Sequence, residues 1–422
     1  MKKKHFVKVF AMCLSAVIVL LSFAGCENKS DAEKTQVVIW HTWNVEEGGT
    51  EHELKVIVDE YNASQDDVEV ILQSQPSEGY SDKVYNAVTN NVGPDIIIEF
   101  ATTLPEYVEG GFLADMGKYI DTEALSKRLP KALMDESMGS TDGKLHIVPA
   151  HNTTPVLFYN KTIYDELSLK VPETWEQLEE NAEKIYKEKG IAGFAVDSYI
   201  DFAQILFMQT GATYIDTESF EVGFNNDACV DRVSWFVDNV NEKVFASDFS
   251  SGSIDGDFNA GLLGSFIGTS SYEPYITPDG FEYAAAPIPT TVDNAWAPIF
   301  NRGLIVFSSD EKTEKAACDF VEYFVNVENS SRWCRSIGAL SPYTDVKDED
   351  AYAEYLTSNE ILQASVETMK NGGTTPPVLG ARAIRTELKQ AFLQAIGGVK
   401  TPAQALAEAE ANSNKVLADN KN

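Results

Sequence analysis

Gln36-Val37-Val38-Ile39-Trp40 opens the stretch whose reading decides the fold. The four apolar residues in a row after Gln36 suit a short strand buried on both faces. Glu51 to Tyr61 follows, with Leu54, Val56, Ile57 and Val58 on the apolar side of a helix. Val68-Glu69-Val70-Ile71-Leu72 reads as a second strand, and Ser81 to Thr89 as a helix with Val84 and Val88 at i, i+4. Gly93-Pro94-Asp95 turns into a third strand, Ile96-Ile97-Ile98, and Leu104 to Glu109 is a helix stopped by Gly110-Gly111. This β-α-β-α-β alternation predicts an α/β fold with a mostly parallel sheet covered by helices on both faces. Ligands of such sheets bind beyond the carboxyl ends of the strands, which singles out Trp43, Asn44, Tyr80 and Glu99.

A second αβ block follows. Thr153 to Asn160 reads as one strand, and Thr174-Trp175-Glu176-Gln177 as a capping box opening a helix to Lys189. Helices are expected over Phe202–Gln209 and Cys229–Val244, and a strand over Phe281–Ala286. Gly303 to Phe307 is a returning strand, Glu314 to Asn326 a helix, and helices over 360–370, 383–395 and 402–418 end the chain. At 422 residues the chain is long enough for two domains, yet no repeat, low-complexity tract or linker divides it. Two lobes joined by several crossings are therefore expected: 36–148 with 290–340, and 149–289 with 341–422.

Composition narrows the function. With 65 acidic against 33 basic residues, the formal charge is −32, which argues against a nucleic-acid partner. Met1-Lys2-Lys3-Lys4-His5 and Lys8 precede an apolar run from Val9 to Ala24, too short for the roughly 20 residues of a membrane span. Phe23-Ala24-Gly25-Cys26 resembles the lipobox of bacterial lipoproteins, so residues 1–25 are expected to be a cleaved signal peptide and 26–35 a tether lipidated at Cys26. Cleavage removes four lysines and no acid, leaving −36. Cys229, Cys318 and Cys334 then remain, an odd number with no CxxC and no histidine at metal spacing. They read as buried free thiols, with a Cys318–Cys334 pair as the alternative. The chain has no GxxxxGK[ST], no GxSxG and no HExxH; His52-Glu53 lacks the second histidine. Neighbouring acids such as Glu46-Glu47 read as solvated surface rather than a glycosidase pair. No enzyme activity, cofactor or metal is expected.

Several motifs together resemble the family-1 extracellular solute-binding lipoproteins of ABC importers, over nearly all of the mature chain. They are Val38-Ile39-Trp40-His41-Thr42-Trp43, Pro94-Asp95-Ile96-Ile97, Pro149 with Asn152 to Lys161, Pro172-Glu173-Thr174-Trp175-Glu176-Gln177-Leu178 and Thr401-Pro402-Ala403-Gln404-Ala405-Leu406. The resemblance implies a two-lobed periplasmic-binding-protein type II fold with a ligand cleft between lobes joined by a hinge. It further implies a monomer, lipid-anchored and facing outside the cytoplasm, that hands a solute to membrane permease subunits without chemistry on it. Trp40-His41, Gly79-Tyr80, Thr154 to Lys161, Ser270-Ser271, Gly303 and Ile384-Arg385 further resemble the glycerol-3-phosphate-binding members. Two positions depart: Ala101 stands where that group has glutamate, leaving Glu99 as the substitute, and Arg302-Gly303 replaces a Gly-Gly pair. Oligosaccharide binders share this framework, so the implied solute is a neutral oligosaccharide or a glycerol-3-phosphate-type polyol phosphate.

Each implied site residue has a plainer alternative. Trp43 and Trp296 can stack on a sugar or simply pack, whereas Trp40, Trp175, Trp235 and Trp333 read as packing. Asn152, Thr153, Ser270 and Ser271 offer hydrogen bonds to hydroxyls or to phosphate. Arg302 and Arg385 can clamp a phosphate or pair with acids. Arginines free of carboxylates favour an anion, and paired ones a neutral sugar. A secreted glycan hydrolase and an adhesion lipoprotein are the competing classes, separated by turnover of the sugar and by the absence of ligand-driven closure. Replacing Cys26→Ser should release the protein into the medium, and mass spectrometry of the native protein should show an acylated Cys26 and no residues 1–25.

Overall fold

In the computed structural model, residues 34–77, 79–138, 142–291 and 294–420 are described. The expected signal peptide and Cys26 lie outside them. Strands β1 (Thr35–His41), β2 (Val68–Ser74) and β3 (Ile96–Phe100) form the parallel core of a first sheet. Its cores lie on both faces: Ile39, Ile96 and Ile98 point into one, Ile97 and Ile305 into the other. That two-sided burial is why the strands read as unbroken apolar runs rather than alternating ones. Thr35, expected in the tether, is already buried in β1.

The stretch read as one strand from Thr153 is two. β4 (Val148–Thr153) is the edge of the first sheet, whereas β5 (Pro155–Asn160) belongs to a second. Thr154 stands between them, held in extended backbone by the proline that follows it. The second sheet collects β6 (Phe194–Val196) and, after a side hairpin of β7 (Thr213–Asp216) with β8 (Glu221–Gly223), β9 (Phe245–Ala246), β10 (Ser265–Thr269) and β11 (Tyr283–Ala286). Its order is β11-β5-β10-β6-β9. The chain recrosses between β12 (Ala297–Pro298), which pairs with β14 (Gly372–Gly373), and β13 (Phe300–Val306). β13 inserts antiparallel between β3 and β4, giving the first sheet the order β2-β1-β3-β13-β4.

Three expected boundaries therefore move. Residue 149 is not a crossing, because β4 is bonded to β13 through Thr153. Residues 290–298 stay with the second sheet, where Ile288 and Ala297 join the core of Phe202 and Phe207. Residues 341–356 stay with the first, because Tyr343, Val346 and Tyr352 bury themselves beside Trp333. The third crossing follows Ser358, after which the helix Glu360–Met369 packs on the second sheet through Ile361 and Ala364. Around Thr174 the capping box is half made: Thr174 accepts from the Gln177 amide, but the Gln177 side chain accepts from Glu173. The complete box is Thr401 with Gln404 at the last helix, Pro402–Asp419.

Cys229, Cys318 and Cys334 are buried and free. Burial pushes the Cys318 thiol up to about 12, with Asp319 and Glu314 adding to it. Among the described residues no helix is long and apolar enough to cross a membrane, and no cluster of histidine, cysteine and carboxylate could hold a metal.

Gly303, predicted as a ligand-side residue, is instead a packing glycine in β13. A Cβ there would meet Ile147 Cγ1 at 2.5 Å and the Val148 carbonyl oxygen at 2.6 Å. Gly303→Val should lower stability by about 1–3 kcal/mol through overpacking, read as a fall in the denaturant midpoint with an unchanged slope.

Candidate functional site

The carboxyl ends of the parallel strands in both sheets face one cleft. β1 runs out toward Trp43 and β3 into Phe100-Ala101-Thr102. From the second sheet β6 delivers Asp197, and β10 delivers Thr269, Ser271 and Tyr272. Antiparallel β13 enters the first sheet at the same end and adds Phe300, Asn301 and Arg302, beside His151 and Thr153 of β4. The cleft has a main chamber of about 680 Å³ and a second of about 480 Å³.

The predicted site residues divide into three groups. Trp43, Thr153, Ser271, Arg302 and Arg385 line the main chamber. Tyr80 and Glu99 line the second, where the Tyr80 hydroxyl is spent on the Trp40 carbonyl at 2.9 Å and buried Glu99 accepts from the Phe100 amide. The remainder reach neither chamber. Asn44 lies on an outer face, its amide bonded to Glu51. Asn152 and Ser270 are buried at the crossing, where the Asn152 backbone exchanges two hydrogen bonds with Leu340 and the Ser270 amide donates to Thr154. Trp296 packs beside Gly373, with its carbonyl accepting from Gln209 at 3.0 Å. The general expectation that a tryptophan in a loop meets ligand fails here because the loop is stitched to the helix Tyr199–Gln209 by Asn294, Thr291 and Gln209.

The two arginines differ in their partners. Arg385, on the helix Ala381–Ile396, donates to Asp201 at 2.9 Å. Burial lowers its guanidinium, but the charges and hydrogen bonds of Asp201 and Tyr214 together outweigh that and raise it. Among the described residues Arg302 has no carboxylate partner; its guanidinium lies 4.1 Å from the centre of the Phe100 ring and 5.8 Å from that of Trp43.

Sequence reasoning missed the acids. Glu51, Glu136, Asp197, Asp201 and Asp255 all line the main chamber. Desolvation raises the Glu136 carboxyl, which accepts from Asn301 at 2.5 Å, and likewise raises Asp197, which accepts from the Tyr272 hydroxyl although its edge is open to the cleft. Nothing local distinguishes these five among 65 acids. The aromatic floor was half visible: Trp43 tilts against Trp333 at 5.2 Å, and Phe100 meets Phe300 edge-on at 6.3 Å.

Two sets of contacts join the lobes across the cleft. On one side Thr50 donates to the Tyr275 hydroxyl at 2.8 Å, and Tyr275 donates to Glu51. On the other, Arg382 pairs with Glu106 at 2.9 Å and with Asp82.

Residues 56–359 match the family model described as bacterial extracellular solute-binding protein. The chain belongs to that family. Its fold is that of maltodextrin-type binding proteins. The GacH receptor of Streptomyces glaucescens superposes with a TM-score of 0.82 at 20% identity, covering 92% of this chain and 99% of the other. A cyclic α-maltosyl-1,6-maltose binding protein from Arthrobacter globiformis gives 0.74 at 26% identity, covering 91% and 99%. In sequence, the maltotriose-binding protein of Pyrococcus abyssi is 23% identical over 74% of this chain and 68% of its own. The sn-glycerol-3-phosphate-binding periplasmic protein of Pectobacterium atrosepticum is 22% identical over 99% and 97%. Members of this family bind solutes outside the cytoplasm rather than transform them.

One group in the wall of the cleft titrates far from its usual range. Burial, with help from the charge of Arg302, pushes His151 down to about 3. It stays neutral and accepts the Trp333 indole N–H at 3.1 Å. Its unfolded counterpart takes a proton near pH 6.5, so between about 6.5 and 3 the unfolded chain binds more protons. This contribution to stability is complete above pH 6.5 and is lost as pH falls toward 3. Denaturation measured across that range should be less steeply acid-sensitive in His151→Gln, by up to about 1.4 kcal/mol per pH unit.

Proposed function

We propose that this protein is the extracellular capture component of an ABC importer, closing its lobes on a neutral oligosaccharide and presenting it to membrane permease subunits. The observation that carries the choice of solute is the charge of the main chamber. Five carboxylates face two arginines, one of them already held by Asp201. Bringing a phosphate dianion into that field, away from water, is unfavourable, since like charges repel more strongly where water is excluded. Sugar hydroxyls instead donate readily to carboxylates, and the C–H faces of pyranose rings suit Trp43, Phe100 and Phe300. The maltotriose-binding relative and the cyclic-maltosyl-maltose binder support the same choice. The glycerol-3-phosphate-binding relatives share the framework, but here Arg385 is already held by Asp201.

The same reading assigns residues 1–25 to a signal peptide, Cys26 to a lipid anchor and the monomer to the membrane surface. It places 34–153 with 299–358 in one lobe and 154–298 with 359–420 in the other. Solute binding favours closure because the Tyr275 and Arg382 contacts then add to those made by the ligand. Competing hydrolysis is disfavoured because four of the five acids in the chamber are already tied, to Asn301, Tyr272, Tyr275 and Arg385.

Titration calorimetry with maltotriose and with sn-glycerol-3-phosphate decides between the solutes. Binding is expected for the sugar and not for the phosphate, and Trp43→Ala should weaken the sugar by about 1–3 kcal/mol. Tighter binding of glycerol-3-phosphate than of any neutral sugar would overturn the choice.

A further inference from the structure

The two chambers of the inter-lobe space share part of their walls, and one of the shared side chains is unusual. The chambers share Trp43, Phe100, Thr102, Arg302 and Arg385 in their walls. Trp43 is braced by Trp333, and Arg385 by Asp201. Arg302 alone among the described arginines has neither an ion pair nor a side-chain hydrogen bond, and its Nε is buried without a partner. The aromatic faces of Phe100 and Trp43 hold it instead, at 4.1 and 5.8 Å. Its backbone sits at a register shift, where the β13–β4 ladder slips between Arg302 and Gly303. Such irregularities re-aim a side chain relative to the regular pleat.

We infer that Arg302 is a partition that sets the length of oligosaccharide the protein accepts, closing the main chamber against the one behind it. This rests on the reading of the protein as a carbohydrate-capture component. A guanidinium held over aromatic faces without a carboxylate keeps its terminal N–H donors available to the hydroxyls of a terminal sugar. The chamber behind it mixes the Tyr80 and Tyr107 rings with Glu99, Lys389 and the Arg382–Glu106 pair, aromatic and polar groups of the kind a further sugar unit uses. Without the Arg302 side chain the two chambers become continuous, and a longer chain can thread from one to the other.

The test is calorimetry of the full-length mature protein against malto-, cello- and xylo-oligosaccharides of two to seven units, for the native protein, Arg302→Ala and Arg302→Met. Methionine keeps much of the length without the charge, and so separates a steric partition from a hydrogen-bonding contact. The expected result is a native length optimum that Arg302→Met retains. In Arg302→Ala the optimum should move to longer chains, with the longest sugars gaining about tenfold on the shortest. Loss of affinity by one common factor at every length, or an unchanged profile, would overturn the partition while leaving sugar capture intact. Binding of no sugar by the native protein would overturn sugar capture, and the partition with it. Should Arg302→Ala fail to fold by circular dichroism, Arg302→Ser carries the same comparison.

Discussion

The antiparallel insertion of Phe300–Val306 between two strands of the first sheet is the constraint on which the remaining architecture depends. Its ladder to β3 and β4 ties together segments about 200 and about 150 residues apart in the chain. Those hydrogen bonds are buried on both faces, so leaving them unmade would strand backbone donors and acceptors away from water. The lobe therefore cannot close until the chain has built the second sheet and returned. Both sheets consequently share crossings at Thr153–Pro155 and Pro298–Phe300, and the cleft lies beside these crossings. The same strand carries three cleft residues, Phe300, Asn301 and Arg302, on the segment that joins the lobes.

The cleft combines strong negative charge with aromatic surface, and the two features act on a solute differently. Aromatic faces stabilise any flat apolar surface, whereas the acids select against anions and reward donors. Several of those acids already accept hydrogen bonds from Asn301, Tyr272 and Tyr275, which fixes their orientation before a solute arrives. An orientation fixed in advance reduces what must be ordered on binding. Tyr275 and Arg382 meet acids of the opposite lobe at the two sides of the mouth, so charge also contributes to closure.

The secondary structure was legible where one physical pattern dominated. Ile96-Ile97-Ile98 is apolar throughout because both faces are covered, and Val84 with Val88 marks the buried side of a helix. The pattern misled at Thr153–Asn160, because an apolar run carries no sign of which sheet each half joins. It also misled at Trp296, whose loop is fastened by polar contacts to a helix nearly 90 residues earlier. Asn152 and Ser270 have the chemistry of ligand contacts, yet the crossing buries them.

By itself the sequence determined the alternation of strands and helices, the returning strand near residue 303, the absence of enzyme motifs and the place of Trp43 beyond a strand end. These are local properties, set by side-chain periodicity, turn residues and spacing. Only the tertiary structure decided which of 65 acids meet in one chamber, that Asp201 takes Arg385, and that Arg302 is left to aromatic rings. Such pairings join residues 180 or more apart or on different strands, and no short-range pattern encodes them. They follow from where the crossings bring the two sheets, a property of the whole chain rather than of any stretch within it.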